Sequence, residues 1–226
     1  MKCYCYETDS TFVFCVEDVE NAQLEDVIQH AAWKKNDGKF LLSCSQYEFS
    51  DFREKELVSK NFTRLGQAMF ESMLLGFDWE KPLEMLAQKF NENGIEWYIV
   101  GSVGDTVRGI AVKPGDMDIV VHTRDFNKVK EICYSNFPDS VVLQFLDNQK
   151  LCPLRCFGRL FLAGALVDIA ADETWNLENR QPKYEKVSWN GYDLYIDSLK
   201  LRYQIEKARN RTDRIQAIEE FMNRGE

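Results

Sequence analysis

A chain of 226 residues with 45% hydrophobic and 13% aromatic content has apolar material for one large domain, or for an ordinary domain plus a smaller module, and is too apolar to be disordered. Its formal charge of -9 and pI near 4.9 exclude a protein that coats long nucleic acid electrostatically; a small substrate, or a charged ligand held by a local basic cluster, fits better. No stretch approaches the ~18 uncharged apolar residues of a membrane span, and the start MKCYCYETDSTFVF lacks the basic flank and apolar run of a signal peptide, so a cytoplasmic location with no membrane partner is expected. The 7 cysteines, an odd number, are read as free thiols of a reducing compartment; Cys152 and Cys156 lack the second pair or nearby histidine that a zinc site needs.

In chain order, residues 2–16 read as two short strands around the Thr8-Asp9-Ser10 turn, and NAQLEDVIQHAAWKKNDG as a helix ended by Asp37-Gly38. GKFLLSCS is a third strand. Between Phe52 and Leu75 the residues Leu57, Phe62, Leu65, Met69, Phe70 and Met73 recur at largely helical spacing, giving one long helix or two shorter ones. A domain boundary is expected near GFDWEKP, where Gly76 can end a helix and Pro82 suits the first turn of the next. Residues 1–77 would then form a small α+β module of unassigned role and residues 78–226 the second domain.

That second region begins with an apolar stripe of Leu83, Leu86, Ala87 and Phe90, followed by EWYIVGS as a strand, VGDTVRGI as a short helix and DMDIVVH as a second strand. Thr123 is the expected cap of a helix burying Phe126, Val129, Ile132, Cys133 and Phe137, stopped by Pro138. VVLQFL, GRLFLA and ALVDIA are further strands; a polar stretch ETWNLENRQPKYEK follows, then DLYI as a strand and helices from Ser198 and Thr212. The pattern is mixed α/β.

Side chains alternate along a strand, so Asp116 and Asp118 project from one face while Met117, Ile119 and Val121 project from the other. Like charges this close need compensation, and a divalent ion held by a few carboxylates and substrate phosphates supplies it. The plain alternative is a pair that caps a strand or faces solvent. Asp168, the one acid of ALVDIAA, completes a three-carboxylate cluster if its strand lies beside DMDIVV; otherwise it pairs with a buried arginine. Gly101 and Ser102 join a strand to a helix, a place where an anion can sit. The glycines fit neither a P-loop nor the dinucleotide fingerprint, and the Asp pair fails as a calcium loop. Arg108 and Lys113 flank the loop before the Asp pair and are candidate phosphate contacts. The basic run from Lys200 to Arg214 reads mostly as a solvated helix face. His122 is read more as strand-end packing than as a site group, and Trp175 more as a packing aromatic than as a base-stacking one.

On these residues the chain resembles the nucleotidyltransferase superfamily of the DNA polymerase β type, and within it the small bacterial aminoglycoside or lincosamide nucleotidyltransferase-like proteins. YIVGS, GDMDIVV and LVDIA stand in the order of that family's Gly-Ser strand end, Asp-x-Asp and third acid, and DSLKLRYQIEKARNRTDRIQAIEEF is similar to its C-terminal helices. The resemblance covers about residues 80–222. It implies an α/β (α+β) fold whose mixed sheet carries C-terminal helices. It further implies two magnesium ions on Asp116 and Asp118, one shared with Asp168, which would also act as general base. Gly101 and Ser102 would hold the β- and γ-phosphates of a nucleoside triphosphate such as ATP, with Lys200 a further contact. The expected activity is transfer of a nucleoside monophosphate to a hydroxyl of a small molecule or protein, with release of pyrophosphate. The competing readings are a catalytically degenerate binding or regulatory protein, with residues 1–77 as a homodimer surface, and a metal-dependent Asp-x-Asp glycosyltransferase.

Overall fold

A computed structural model describes residues 1–31, 33–45, 49, 52–138, 156–172 and 184–224. The strand expected at VVLQFL, together with Cys152 and Trp175, lies outside the described residues, as does the side chain of Cys156. No described helix is long and apolar enough to cross a membrane.

The chain opens with β1 (Lys2–Glu7), β2 (Thr11–Glu17), α1 (Ala22–His30), β3 (Lys34–Asn36) and β4 (Lys39–Ser45). The strands make a four-stranded antiparallel sheet in the order β1-β2-β4-β3. Helix α1 is capped by the Asn21 side chain, which accepts from the N–H groups of Gln23 and Leu24. It ends at His30, earlier than the periodicity suggests, because Asp37 and Gly38 take positive φ of 46° and 78° and fold Lys34–Asn36 back onto β4 as a hairpin. The Asp-Gly pair is a hairpin turn, not a helix stop.

One face of this sheet presents Cys3, Phe12, Phe14, Val16 and Phe40 to α2 (Phe52–Leu75), which answers with Val58, Phe62, Met69 and Phe70. Trp33 stacks on Phe62 with ring centroids 5.6 Å apart. Gly66 permits the close approach of helix and sheet, since a Cβ there would stand 2.9 Å from both Cβ and Sγ of Cys3. The same apolar cluster takes in Phe161 and Leu166 from the second sheet. Burial pushes the thiols of Cys3 and Cys5 up to about 12.

The second part runs α3 (Glu80–Glu92), β5 (Trp97–Val100), α4 (Gly101–Val107), β6 (Met117–His122), α5 (Phe126–Ile132), β7 (Cys156–Leu162), β8 (Ala165–Asp172), β9 (Tyr184–Trp189), β10 (Tyr192–Asp197), α6 (Leu199–Ala208) and α7 (Thr212–Asn223). Its six strands form one mixed sheet, β7-β8-β6-β5-β10-β9, in which β6 runs parallel to β8, and β5 parallel to β10. The fold is thus α/β, a mixed sheet with C-terminal helices behind a small α+β part, as expected. Ile99, Met117, Ile119, Val121, Val167 and Ile169 bury one face of the sheet against Leu83, Leu86 and Phe90 of α3 and Phe126 and Val129 of α5. The alternating residues of the same strands are left to the other face.

Two further local details differ from the sequence reading. Thr123 does not cap α5; residues 123–125 form a single 3₁₀ turn, and His122 Nδ1 accepts from the Arg124 N–H at 3.1 Å. The polar stretch after Asp172 contains β9, held to β10 by an Asn190-Gly191 hairpin turn with φ of 47° and 81°.

Candidate active site

The pairing register writes one row across the second sheet. Arg159 on β7 faces Asp168 on β8, Asp168 faces Asp118 on β6, and Asp118 faces Val100 on β5. Because their neighbours Met117, Ile119, Val167 and Ile169 fill the core, Asp118 and Asp168 project together from the opposite face. Asp116 precedes β6 by one residue and adds a third carboxylate; one oxygen from each acid lies within 4.8 Å of the others.

Such a cluster is electrostatically short of positive charge. Burial first, then Asp116 and Asp168, push the Asp118 carboxyl up to about 7, against the pull of Arg209 and Arg202. Asp116 is raised as well, by loss of solvent and by Asp168, while Arg159, Arg211 and Arg214 act in the other direction. Carboxylate oxygens alone are the donor set of a hard cation such as magnesium, so the residues present fit that ion.

Asp168 also has a protein partner. Arg159 donates from Nε to Oδ1 at 2.8 Å and from Nη2 to Oδ2 at 3.1 Å, a two-pronged pair. The two readings of Asp168 therefore coexist: it belongs to the acid cluster and it is paired with an arginine.

Gly101 sits against Asp118. Its φ of +76° suits glycine, and a Cβ there would stand 3.1 Å from Asp118 Oδ2. Its N–H favours the charged form of Asp197, a buried carboxyl that burial nonetheless pushes up to about 7 against the nearby Arg202. The glycine serves the site by leaving room beside Asp118.

A pocket of about 540 Å³ opens here. One wall carries Gly101, Ser102, Gly115, Asp116 and Asp118; the other carries Arg202 and Glu206 of α6, Asp213 and Arg214 of α7, and Arg209 and Arg211 from the turn between them. Arg202 is buried and doubly bonded to Asp105 of α4, with its Nη2 at 2.7 Å from Asp105 Oδ2 and 2.7 Å from Glu206 Oε1. This bond ties α6 to the helix that starts at Gly101. Arg214 donates to the Lys113 carbonyl at 3.1 Å, and its buried Nη1 has no hydrogen-bond partner among the described residues.

Several expected phosphate contacts are placed elsewhere. The side chain of Arg108 is only 5% exposed; it pairs with Glu185 at 3.0 Å and Asp105 at 3.7 Å and donates to the Asp197 carbonyl. Burial pulls its guanidinium below the ordinary value, against those acids. It braces the sheet edge and α4, and it does not line the pocket. Lys113 is exposed and meets the site through its carbonyl, and Lys200 is exposed on the first turn of α6 outside the pocket lining. The basic side chains that do line it, Arg202, Arg209, Arg211 and Arg214, belong to the run read mostly as a solvated face. The signal was present in that run, an excess of arginine at the junction of two helices, but helical periodicity alone does not show which turn faces a sheet.

Neither a family model nor a curated protein matches the sequence. Among solved structures, the chain is similar to a protein from Thermotoga maritima described as a nucleotidyltransferase, at 19% identity over 64% of this chain and 92% of that one, with a TM-score of 0.47. It is similar also to the lincosamide antibiotic adenylyltransferase LnuA in its lincomycin-bound form, at 12% identity over 62% of this chain and 96% of that one, with a TM-score of 0.46. A third likeness is to ANT(2")-Ia in complex with adenylyl-2"-tobramycin, at 13% identity over 60% and 84% of the two chains, with a TM-score of 0.42. The resemblance is one of fold.

Proposed function

We propose that this protein is a magnesium-dependent nucleotidyltransferase that moves a nucleoside monophosphate from a nucleoside triphosphate to a hydroxyl of a small-molecule or protein acceptor. The observation that carries the reading is the convergence of Asp116, Asp118 and Asp168 within 4.8 Å, with Asp116 and Asp118 facing Arg209, Arg211 and Arg214 across one pocket. Carboxylates alone would attract a cation, and arginines alone an anion. A metal-bound triphosphate needs both sets side by side.

Magnesium bound at Asp116 and Asp118 would supply charge neutralisation at the attacking and leaving oxygens. The Ser102 hydroxyl and the guanidinium groups of Arg209, Arg211 and Arg214 orient the β- and γ-phosphates, and Gly101 keeps Asp118 free to approach. Asp168 accepts the proton of the acceptor hydroxyl as its oxygen bonds to the α-phosphorus and the α-β bridging P–O bond breaks, releasing pyrophosphate. Arg108 and Asp105 act beneath this surface by holding α4 and α6 together. We also assign residues 1–77 and 78–226 as two modules and place the protein in the cytoplasm, a reading supported by the buried thiols of Cys3, Cys15 and Cys133, which form no disulfide among the described residues.

The test is incubation of the purified protein with each labelled nucleoside triphosphate, magnesium and a panel of hydroxyl-bearing acceptors. Label should move to an acceptor with stoichiometric pyrophosphate release, and Asp116→Asn should abolish both. Unchanged release by that variant would overturn the assignment.

A further inference from the structure

Arg159 stands at the end of the acid row and is unused by the chemistry above. Its position is fixed by the backbone: β7 and β8 are joined by a two-residue turn, Ala163-Gly164, with φ of 50° and 86°, which sets Arg159 directly opposite Asp168. Both prongs of its guanidinium are committed, at 2.8 and 3.1 Å, to the two oxygens of the Asp168 carboxylate. The pair is 30% and 16% exposed, sheltered enough for its geometry to matter. Arg209, Arg211 and Arg214, by contrast, line the same pocket as Asp116 and Asp118; Arg214 donates to the Lys113 carbonyl and Arg211 stands 3.8 Å from Glu206.

We infer that Arg159 is a positioning residue that serves as a tethered cation at the Asp168 end of the cluster, so that the free protein takes one divalent ion, on Asp116 and Asp118, and a second only weakly. This inference rests on the reading of the acids as a metal platform and concerns how that platform fills. A guanidinium is permanently charged, and in the two-pronged geometry it takes one lone pair on each Asp168 oxygen and sets a positive charge beside the oxygens a second ion would use. A second ion must therefore displace or share with Arg159, and the negative charge of an arriving triphosphate is what makes that favourable. In the same act Asp168 is held at one angle until the acceptor step needs it.

Manganese(II) binding to the full-length protein, counted from the electron paramagnetic resonance signal of the free ion at fixed pH and without nucleotide, tests this. The wild-type chain should take one ion, with a second bound at least ten times more weakly. In Arg159→Gln the second ion should tighten about tenfold. Arg159→Lys, which keeps the charge and loses the fork, should fall between them. Two equivalent ions on the wild-type protein, or a second affinity identical in wild type and both variants, would overturn the inference. If Arg159→Gln fails to give a native circular dichroism spectrum, the comparison of wild type with Arg159→Lys decides alone. Asp116→Asn separates the two levels of argument. Loss of the first ion there, with Arg159 variants unchanged, leaves the metal platform standing and removes the role of Arg159; undiminished binding by Asp116→Asn removes the platform itself.

Discussion

At the scale of single residues, the site is a balance between burial and charge, and pH exposes it. Asp118 has a folded-state value of about 7 against the ordinary 3.8, so the folded protein holds this proton more tightly than the unfolded chain does. The corresponding stabilisation is complete below the ordinary value and is lost as pH rises through about 7. Asp118→Asn, which cannot ionise, should therefore raise the melting temperature at pH 8 by several degrees and change it little at pH 4; calorimetry at the two pH values checks this. Magnesium should have the reverse profile on the wild-type protein, stabilising it more at pH 8 than at pH 5, because only the ionised acids bind it. Asp168→Asn should cost roughly 10² to 10⁴ in kcat if Asp168 takes the acceptor's proton, with a smaller change in KM for the triphosphate. The acids were legible in the sequence because strand alternation makes two like charges on one face conspicuous. Arg159 was not, since its place opposite Asp168 follows from the Ala163-Gly164 hairpin turn, and the two strands flanking it were read without being paired.

At the scale of elements, the site depends on two helices that carry few of its reacting groups. Helix α4 begins at Gly101 and is clamped to α6 by Asp105 and Arg202, whose side chains are 1% and 4% exposed. Removing one member of a buried pair leaves the other uncompensated, so Asp105→Asn should lower unfolding stability by about 3 to 5 kcal/mol in urea titrations. Arg211→Ala and Arg214→Ala should behave differently, raising KM for the triphosphate roughly tenfold while shifting the urea midpoint little. Arg108→Ala should follow the first pattern, losing stability with no specific effect on KM. The existence and order of these elements were largely readable from periodicity: a helix was expected from Ser198, and α6 follows it, with Ser198 Oγ accepting from the Leu201 N–H at 3.3 Å. The β3 and β9 hairpins were not read, although Asp37-Gly38 and Asn190-Gly191 announce them, because a helical stripe masked the first and polar composition the second.

At the scale of the whole molecule, the two parts share apolar material. Phe161 and Leu166 of the six-stranded sheet lie in the cluster between the first sheet and α2, Asn61 of α2 donates to the Tyr134 carbonyl at 2.7 Å, and Lys130 pairs with Glu54 at 2.6 Å. The boundary proposed near residue 77 therefore separates modules in sequence more cleanly than in packing. A fragment of residues 78–226 would bare Phe161 and Leu166, each at a cost of roughly 1.5 to 3 kcal/mol. The full chain should melt in a single transition in differential scanning calorimetry, and the fragment at a lower temperature. Composition could place a small α+β part ahead of a larger one, but the contact arises from side chains on two strands that a linear reading assigns wholly to the other core.

The glycine at position 101 has a consequence for descent. Any Cβ there meets Asp118 Oδ2 at 3.1 Å, on a backbone turned to φ +76° where an L side chain costs about 1 to 2 kcal/mol. A chain that keeps Asp118 in this place is therefore expected to keep glycine at position 101, whereas one that has lost the acid is released from the contact. In homologous chains a side chain at position 101 should accompany, and not precede, replacement of Asp118.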